Sequence, residues 1–166
     1  MKKLIFLLFL GISALNAAPL ITSDKKYDPP SDWTTNKDFE KQSWWRAFYS
    51  QVRPENFKFS EWKKFYPEHL LKEANITEAR FPTIIAEEIK KRTEYPSETK
   101  IARVVSISDG PTEYVVIIEC VMTSKDPKES DTHVNRFFKK ESRDWIAGEF
   151  AADLSKDPIL KLIDQK

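Results

Sequence analysis

Glu119 is the one charge inside the apolar run Val115-Val116-Ile117-Ile118-Glu119-Cys120-Val121-Met122, so its partner decides what it can do. If the polar stretch that follows closes with Thr123 opposite Thr132, Glu119 faces Arg136. If Lys140 then lies opposite Trp145, Arg136 faces Glu149. The expected result is a Glu119–Arg136–Glu149 row across three strands. Opposite-charge pairs on neighbouring strands contribute about 0.2–1 kcal/mol each. Buried, one arginine between two carboxylates orients a ligand in a pocket; in water, the same row is a salt-bridge ladder or a dimer contact. A pair of carboxylates also suits glycoside hydrolysis, but an arginine shared by both lowers their pKa values and opposes a general-acid role. The row depends on register, because a shift of one residue sends these side chains to opposite faces.

Four further positions carry candidate chemistry. His133 is expected to face away from that row, near Met122, as a base or as a surface residue. Trp44 and Trp45 belong to an aromatic-dense stretch that could stack a planar ligand or build a core. Adjacent on one helix, the two cannot point the same way, so one is expected toward a rim or a partner. Cys120 is the only cysteine and lies in the apolar run, where a thiol behaves as a small hydrophobe. An internal disulfide is therefore impossible. His69 and His133 are the only histidines and are far apart in sequence; with no CxxC, HExxH or acidic calcium loop, neither a metal nor a cofactor is expected.

These side chains need elements to position them. Residues 18–38 are polar and carry Pro29-Pro30, which reads as an extended leader, with Tyr27 and Trp33 able to dock on the body. Trp44, Trp45, Phe48 and Val52 recur at helical spacing and predict a first helix from about Asp38 to Val52, with Pro54 just beyond it. Ser60 is the expected N-cap of a second helix carrying Trp62, Phe65 and Tyr66, which Pro67 interrupts. Glu68 to Ala74 continues as a short helix. Pro82 suits the first turn of another, running to about Thr93, with Ile85 and Ile89 on its buried side and Lys90, Lys91 and Arg92 complementing the helix dipole.

From Lys100 the periodicity changes. Ile101 to Ile107, Thr112 to Thr123, Thr132 to Lys140 and Trp145 to Ala151 are rich in β-branched and aromatic residues. Asp109-Gly110 marks a hairpin between the first two. The prediction is an α+β domain over residues 39–166. Its N-terminal helices pack on a curved four-stranded antiparallel meander, and a short C-terminal helix starts near Asp157. The second strand of the meander is apolar on both sides, whereas a sheet with one wet face alternates. One side is expected under the helices. The other is expected to be a pocket, a dimer interface or a second layer.

Two groups of residues carry a resemblance to a known family. Ala47-Phe48-Tyr49 with Trp62, Phe65 and Leu70-Leu71 stand in the helices; Phe137-Phe138-Lys-Lys-Glu-Ser-Arg-Asp-Trp145-Ile146 stands at the last hairpin. Their order, helices first and meander after, resembles the cone-shaped α+β superfamily of nuclear transport factor two, ketosteroid isomerase and scytalone dehydratase. The resemblance implies a conical fold with a pocket between helix and sheet. Ser142-Arg143-Asp144 replaces the usual glycine turn, and no residue matches the acid–base positions of the superfamily's enzymes. The resemblance thus implies a fold and no reaction.

The N-terminal residues resemble a secretory signal: Lys2 and Lys3, a 12-residue apolar stretch from Leu4 to Leu15, then Asn16-Ala17-Ala18. Twelve apolar residues are too few for a first reading as a spanning helix, so residues 1–17 are expected to be removed and the domain exported to the periplasm or medium. With a formal charge of +1 and no basic stretch, nucleic acid is not an expected partner. The expectation is a non-catalytic exported domain that binds a small molecule or a protein through the sheet, with a homodimer through the sheet as one form of the latter. The rival expectation is a pocket enzyme of the isomerase or dehydratase kind, with Glu119 or His133 as base and Arg136 orienting substrate. A third is an accessory or immunity-type partner of a larger exported protein.

Overall fold

The computed structural model describes residues 20–94, 97–109, 112–124, 130–141 and 144–147. Its sheet has five antiparallel strands in sequence order: β1 (Leu20–Asp32), β2 (Ser97–Asp109), β3 (Thr112–Ser124), β4 (Thr132–Glu141) and β5 (Asp144–Ala147). Between β1 and β2 come α1 (Trp45–Val52), α2 (Phe59–Trp62), α3 (Glu68–Glu73) and α4 (Phe81–Glu94), with a 3-10 turn before each of the first three. The fold is α+β, with each strand paired to its neighbour in sequence. The expected C-terminal helix lies outside the described residues.

The fifth strand corrects the expected four. Residues 20–32 are not merely extended; they pair antiparallel with β2 along the sheet's edge, from Leu20↔Ser108 to Asp32↔Lys100. Sequence reading passes over this strand because it is polar and carries two prolines. An edge strand tolerates both: only one side of its backbone pairs, and proline is confined to edges and bulges. The register breaks between Lys26 and Ser31, so Pro29 and Pro30 fall in the irregular stretch where no ladder donor is required. Tyr27, in the same stretch, packs on the core with its ring 5.3 Å from that of Phe39. Asp24 ties the strand down further, accepting two bonds from the Arg103 guanidinium of β2 at 2.8 and 2.7 Å.

The helices follow the aromatic pattern with small changes. The first is shorter than expected, a 3-10 turn over Phe39–Lys41 and then α1, which stops where Arg53 leaves helical geometry ahead of Pro54. The second starts from Lys58 rather than from a Ser60 cap. Asn75 closes α3 at φ 52°, a left-handed conformation that asparagine tolerates better than most residues. In α4, Ile85 is buried but Ile89 is 43% exposed, against expectation. Phe81 and Ile85 suffice to dock the helix on Trp62, Phe59 and Leu71, and the helix turns away before its C-terminal half reaches that cluster.

The main core lies between α1 and one face of the sheet. Phe48, Ala47 and Trp44 meet Ile101, Val116, Ile118, Cys120 and Phe138, all nearly sealed from solvent. Trp145 of β5 joins it and donates through Nε1 to Ser43 Oγ at 3.1 Å. The opposite face carries a second cluster, Val105, Ile107, Val115 and Ile117, none more than 5% exposed. Strand β3 is therefore buried on both faces, as its composition predicts.

The register between β3 and β4 is one residue away from the expected one. Met122, not Thr123, lies opposite Thr132, so Ile118 faces Arg136 and Glu119 faces Asn135. The β4–β5 register is as expected, with Lys140 opposite Trp145. The error has a physical source. Because β3 is apolar on both faces, sliding it by one residue exchanges one hydrophobic set for another, and alternation cannot choose between them. β4 makes the choice. Phe138 and the partly buried Val134 pair with Val116 and Cys120 beneath the helices, and the exposed His133 and Asn135 are left on the far side.

Replacing Phe48, which is 0% exposed, with alanine is expected to cost about 3–5 kcal/mol in chemical denaturation, whereas Ile89→Ala on α4 stays within about 0.5 kcal/mol. Asp24→Ala, which leaves β1 its backbone but removes its clamp on β2, should cost about 1 kcal/mol.

Candidate ligand cavity between the helices and the sheet

The end of α1, the start of the chain's crossing from β1 and the flank of α4 do not close completely over the sheet. They leave a cavity of about 600 Å³. Thr99, Met122 and Arg136 supply its floor from three strands; Trp33, Val52 and Arg53 form the near wall, and Glu88 and Arg92 the far one. It is on the helix-covered face of the sheet. The apolar part of the other face, expected as an open binding surface, is already buried.

The walls are cross-braced. Arg92, expected only to complement the α4 dipole, reaches across to α1. It donates to the Val52 carbonyl at 3.0 Å and to Glu55 Oε2 at 2.8 Å. Arg53 lies 3.6 Å from the other Glu55 oxygen and spreads its guanidinium over the Trp33 ring at 5.6 Å. Partial burial alone would raise Glu55; the Arg92 bond and the charges of Arg92 and Arg53 outweigh it and hold the carboxyl below its ordinary range. Asp32 at the rim is also held low, chiefly by the bonds it accepts from the Thr34 hydroxyl and amide.

Arg136 is the residue the sequence most needed to place. It points into the helix side of the sheet, where Nη1 donates to Gln51 Oε1 of α1 at 2.9 Å. Its Nε is buried and has no acceptor. Among the described residues no carboxylate comes within ion-pair distance of it. Its neighbours are neutral. Burial pushes the Cys120 thiol up to about 11 and the Tyr66 hydroxyl up to about 12, with the arginine's charge opposing both shifts. Tyr66 is fixed by stacking on Trp62, with ring centroids 4.1 Å apart.

The expected Glu119–Arg136–Glu149 row is therefore not formed. Glu119 and Arg136 stand on opposite faces of the sheet, and Glu149 lies outside the described residues. Glu119 instead meets His133, whose Nδ1 is 3.2 Å from its carboxylate in an exposed pair. This pairing corrects the expected position of His133 near Met122. Neither Glu119 nor His133 lines the cavity that Arg136 lines. Trp44 is in the core at 3% exposure; Trp45 is partly buried and stacks on Tyr49 at 5.5 Å. Neither lines the cavity. Trp33, Gln51, Glu55 and Arg92 are the site residues sequence reasoning missed, and only Trp33, in an otherwise polar segment, carried a signal. Among the described residues no group of three His, Cys, Asp or Glu is placed to hold a metal ion, and no helix is long and apolar enough to cross a membrane.

No protein-family model matches the chain, nor does any curated protein or solved structure.

Two outcomes follow from the electrostatics. Glu55 is depressed in the fold, so its contribution is complete above the ordinary glutamate range, about 4.3, and is lost as pH falls through the depressed value. Wild type is expected to lose stability on acidification more steeply than Glu55→Gln, as read from denaturation midpoints between neutral pH and the acid limb. The raised thiol of Cys120 should react with a disulfide reagent at neutral pH only at the rate of unfolding, and at once in denaturant.

Proposed function

We propose that this chain is an exported, non-catalytic binding domain that holds a small molecule in the cavity between α1, α4 and the sheet. The observation that carries the reading is the cavity itself. About 600 Å³ is within the range of small-molecule sites, and Trp33, Val52, Pro54 and Met122 give apolar surface among the polar and charged groups that line the rest. Trp33 and Val52 are held against the main core, and the Arg92 brace ties the far wall to α1, so the space is preformed.

The chemistry around the cavity favours binding over turnover. Asp32 is held low and so is a weak base, while Tyr66 and Cys120 are held protonated and so are poor nucleophiles. A helical layer on an antiparallel meander with a cavity between them is also what the resemblance to the cone-shaped superfamily implies, and many of that superfamily's members bind without catalysis. Export rests on the n-region, apolar stretch and small residues of positions 1–17.

The test is a fragment library screened by amide chemical-shift mapping. Binders should perturb Trp33, Val52 and Met122 together, and Val52→Trp, which fills the cavity, should abolish the perturbations. Hits scattered over the surface, or unchanged by Val52→Trp, would refute the reading. Export is checked separately: protein recovered from outside the cytoplasm should begin at Ala18 by intact mass, and a chain that retains Met1 contradicts it.

A further inference from the structure

We infer that the ligand of this cavity carries a single carboxylate, and that Arg136 is the group that receives it. The inference rests on the binding reading above and adds the chemical class of the ligand.

The cations lining the cavity can be taken one by one. Arg92 is bonded to Glu55, Arg53 lies within reach of the same carboxylate, and Lys100 sits 3.6 Å from Glu98. Glu88 is taken by Lys91 at 2.9 Å on the outer side of α4. Among the described residues, Arg136 alone of these cations has only neutral neighbours: Gln51, Cys120 and Tyr66. A guanidinium stays charged in proteins and cannot shed its proton to relieve this. An uncompensated charge set between a helix and a sheet is costly, and the cost falls when an anion enters.

The geometry selects the anion. The guanidinium offers a planar fork of donors of which Gln51 uses one, which suits the two oxygens of a carboxylate. One unmatched positive charge calls for one negative charge; a phosphate dianion would bring an excess that the neighbouring Glu98, Glu88 and Asp32 would repel. Trp33, Val52, Pro54 and Met122 give the lining its apolar part, among side chains that are otherwise polar or charged, so the ligand joins its carboxylate to an apolar body. The ligand class is a small aromatic or aliphatic monocarboxylate.

Calorimetric titration of the full chain with 2-naphthoate, its neutral analogue 2-naphthamide and inorganic phosphate tests this. Naphthoate should bind at least about tenfold more tightly than naphthamide, the scale of a charge-assisted hydrogen bond, and phosphate should not compete with it. Arg136→Gln should bring the two naphthyl probes to equal affinity, and Arg136→Lys should keep part of the difference. If Arg136→Gln does not fold, the wild-type Arg136 Nε–H resonance gives the answer, since it should shift with naphthoate and stay put with naphthamide. Equal affinity of the two probes for wild type overturns the carboxylate inference while leaving the cavity as a binding site. Failure of both probes to bind where neutral fragments do also overturns it. Discrimination that appears only in Glu149→Gln would mean that Glu149 neutralises Arg136 internally, and would overturn it as well.

Discussion

Strand β3 is packed on both sides, and this burial constrains everything around it. Val116, Ile118 and Cys120 go beneath the helices while Val115 and Ile117 go to the other face, so no backbone position in the middle of the strand is free to face water on its own account. Glu119 lies between the buried Ile117 and Val121 and stays partly exposed, where Arg103 and Asn135 flank it and His133 reaches its carboxylate. Arg136 is then carried to the helix side by its pairing with Ile118. The position of Arg136, an arginine with no matching carboxylate among the described residues, is thus a consequence of packing in the neighbouring strand.

The helical layer turns that placement into a site. α1 is only eight residues long and buries Ala47, Phe48 and Ser50 against the sheet and α2, so its last turn ends short of the sheet's far edge. Apolar packing holds one wall of the gap this leaves, where Trp33 joins the main core, and polar contacts hold the other. Arg92 spans the gap to the Val52 carbonyl and Glu55, and Trp62 Nε1 bonds the Ser50 carbonyl at 3.1 Å to keep α2 from sliding in. Bonds of this kind fix a spacing without filling it.

Much of the architecture was legible in the residues. The change from helical to alternating periodicity near Lys100, the Asp109-Gly110 hairpin and the two-sided strand all lead to the helix-covered meander that is present. Cys120 was legible as a buried strand residue for the same reason. What was not legible depended on pairing between distant segments. β1 is hydrophilic, and its strand character comes from its neighbour β2, not from its own alternation. The β3–β4 register could not be read from β3, whose two faces are equally apolar, and the misreading by one residue joined Glu119 to the wrong side chain. Arg92 and Glu55 come from separate helices, and no local pattern connects them. The cavity consequently contains one expected site residue, Arg136, with partners the sequence did not name.

The account stands on the register that sends Arg136 inward, and backbone nuclear Overhauser contacts across β3 and β4 measure it most directly. Contacts linking Ile118 with Arg136 and Glu119 with Asn135, together with a side-chain contact from Arg136 to Gln51, are the predicted result. Contacts linking Glu119 directly with Arg136 would put the arginine on the opposite face, take its charge out of the cavity and contradict this placement.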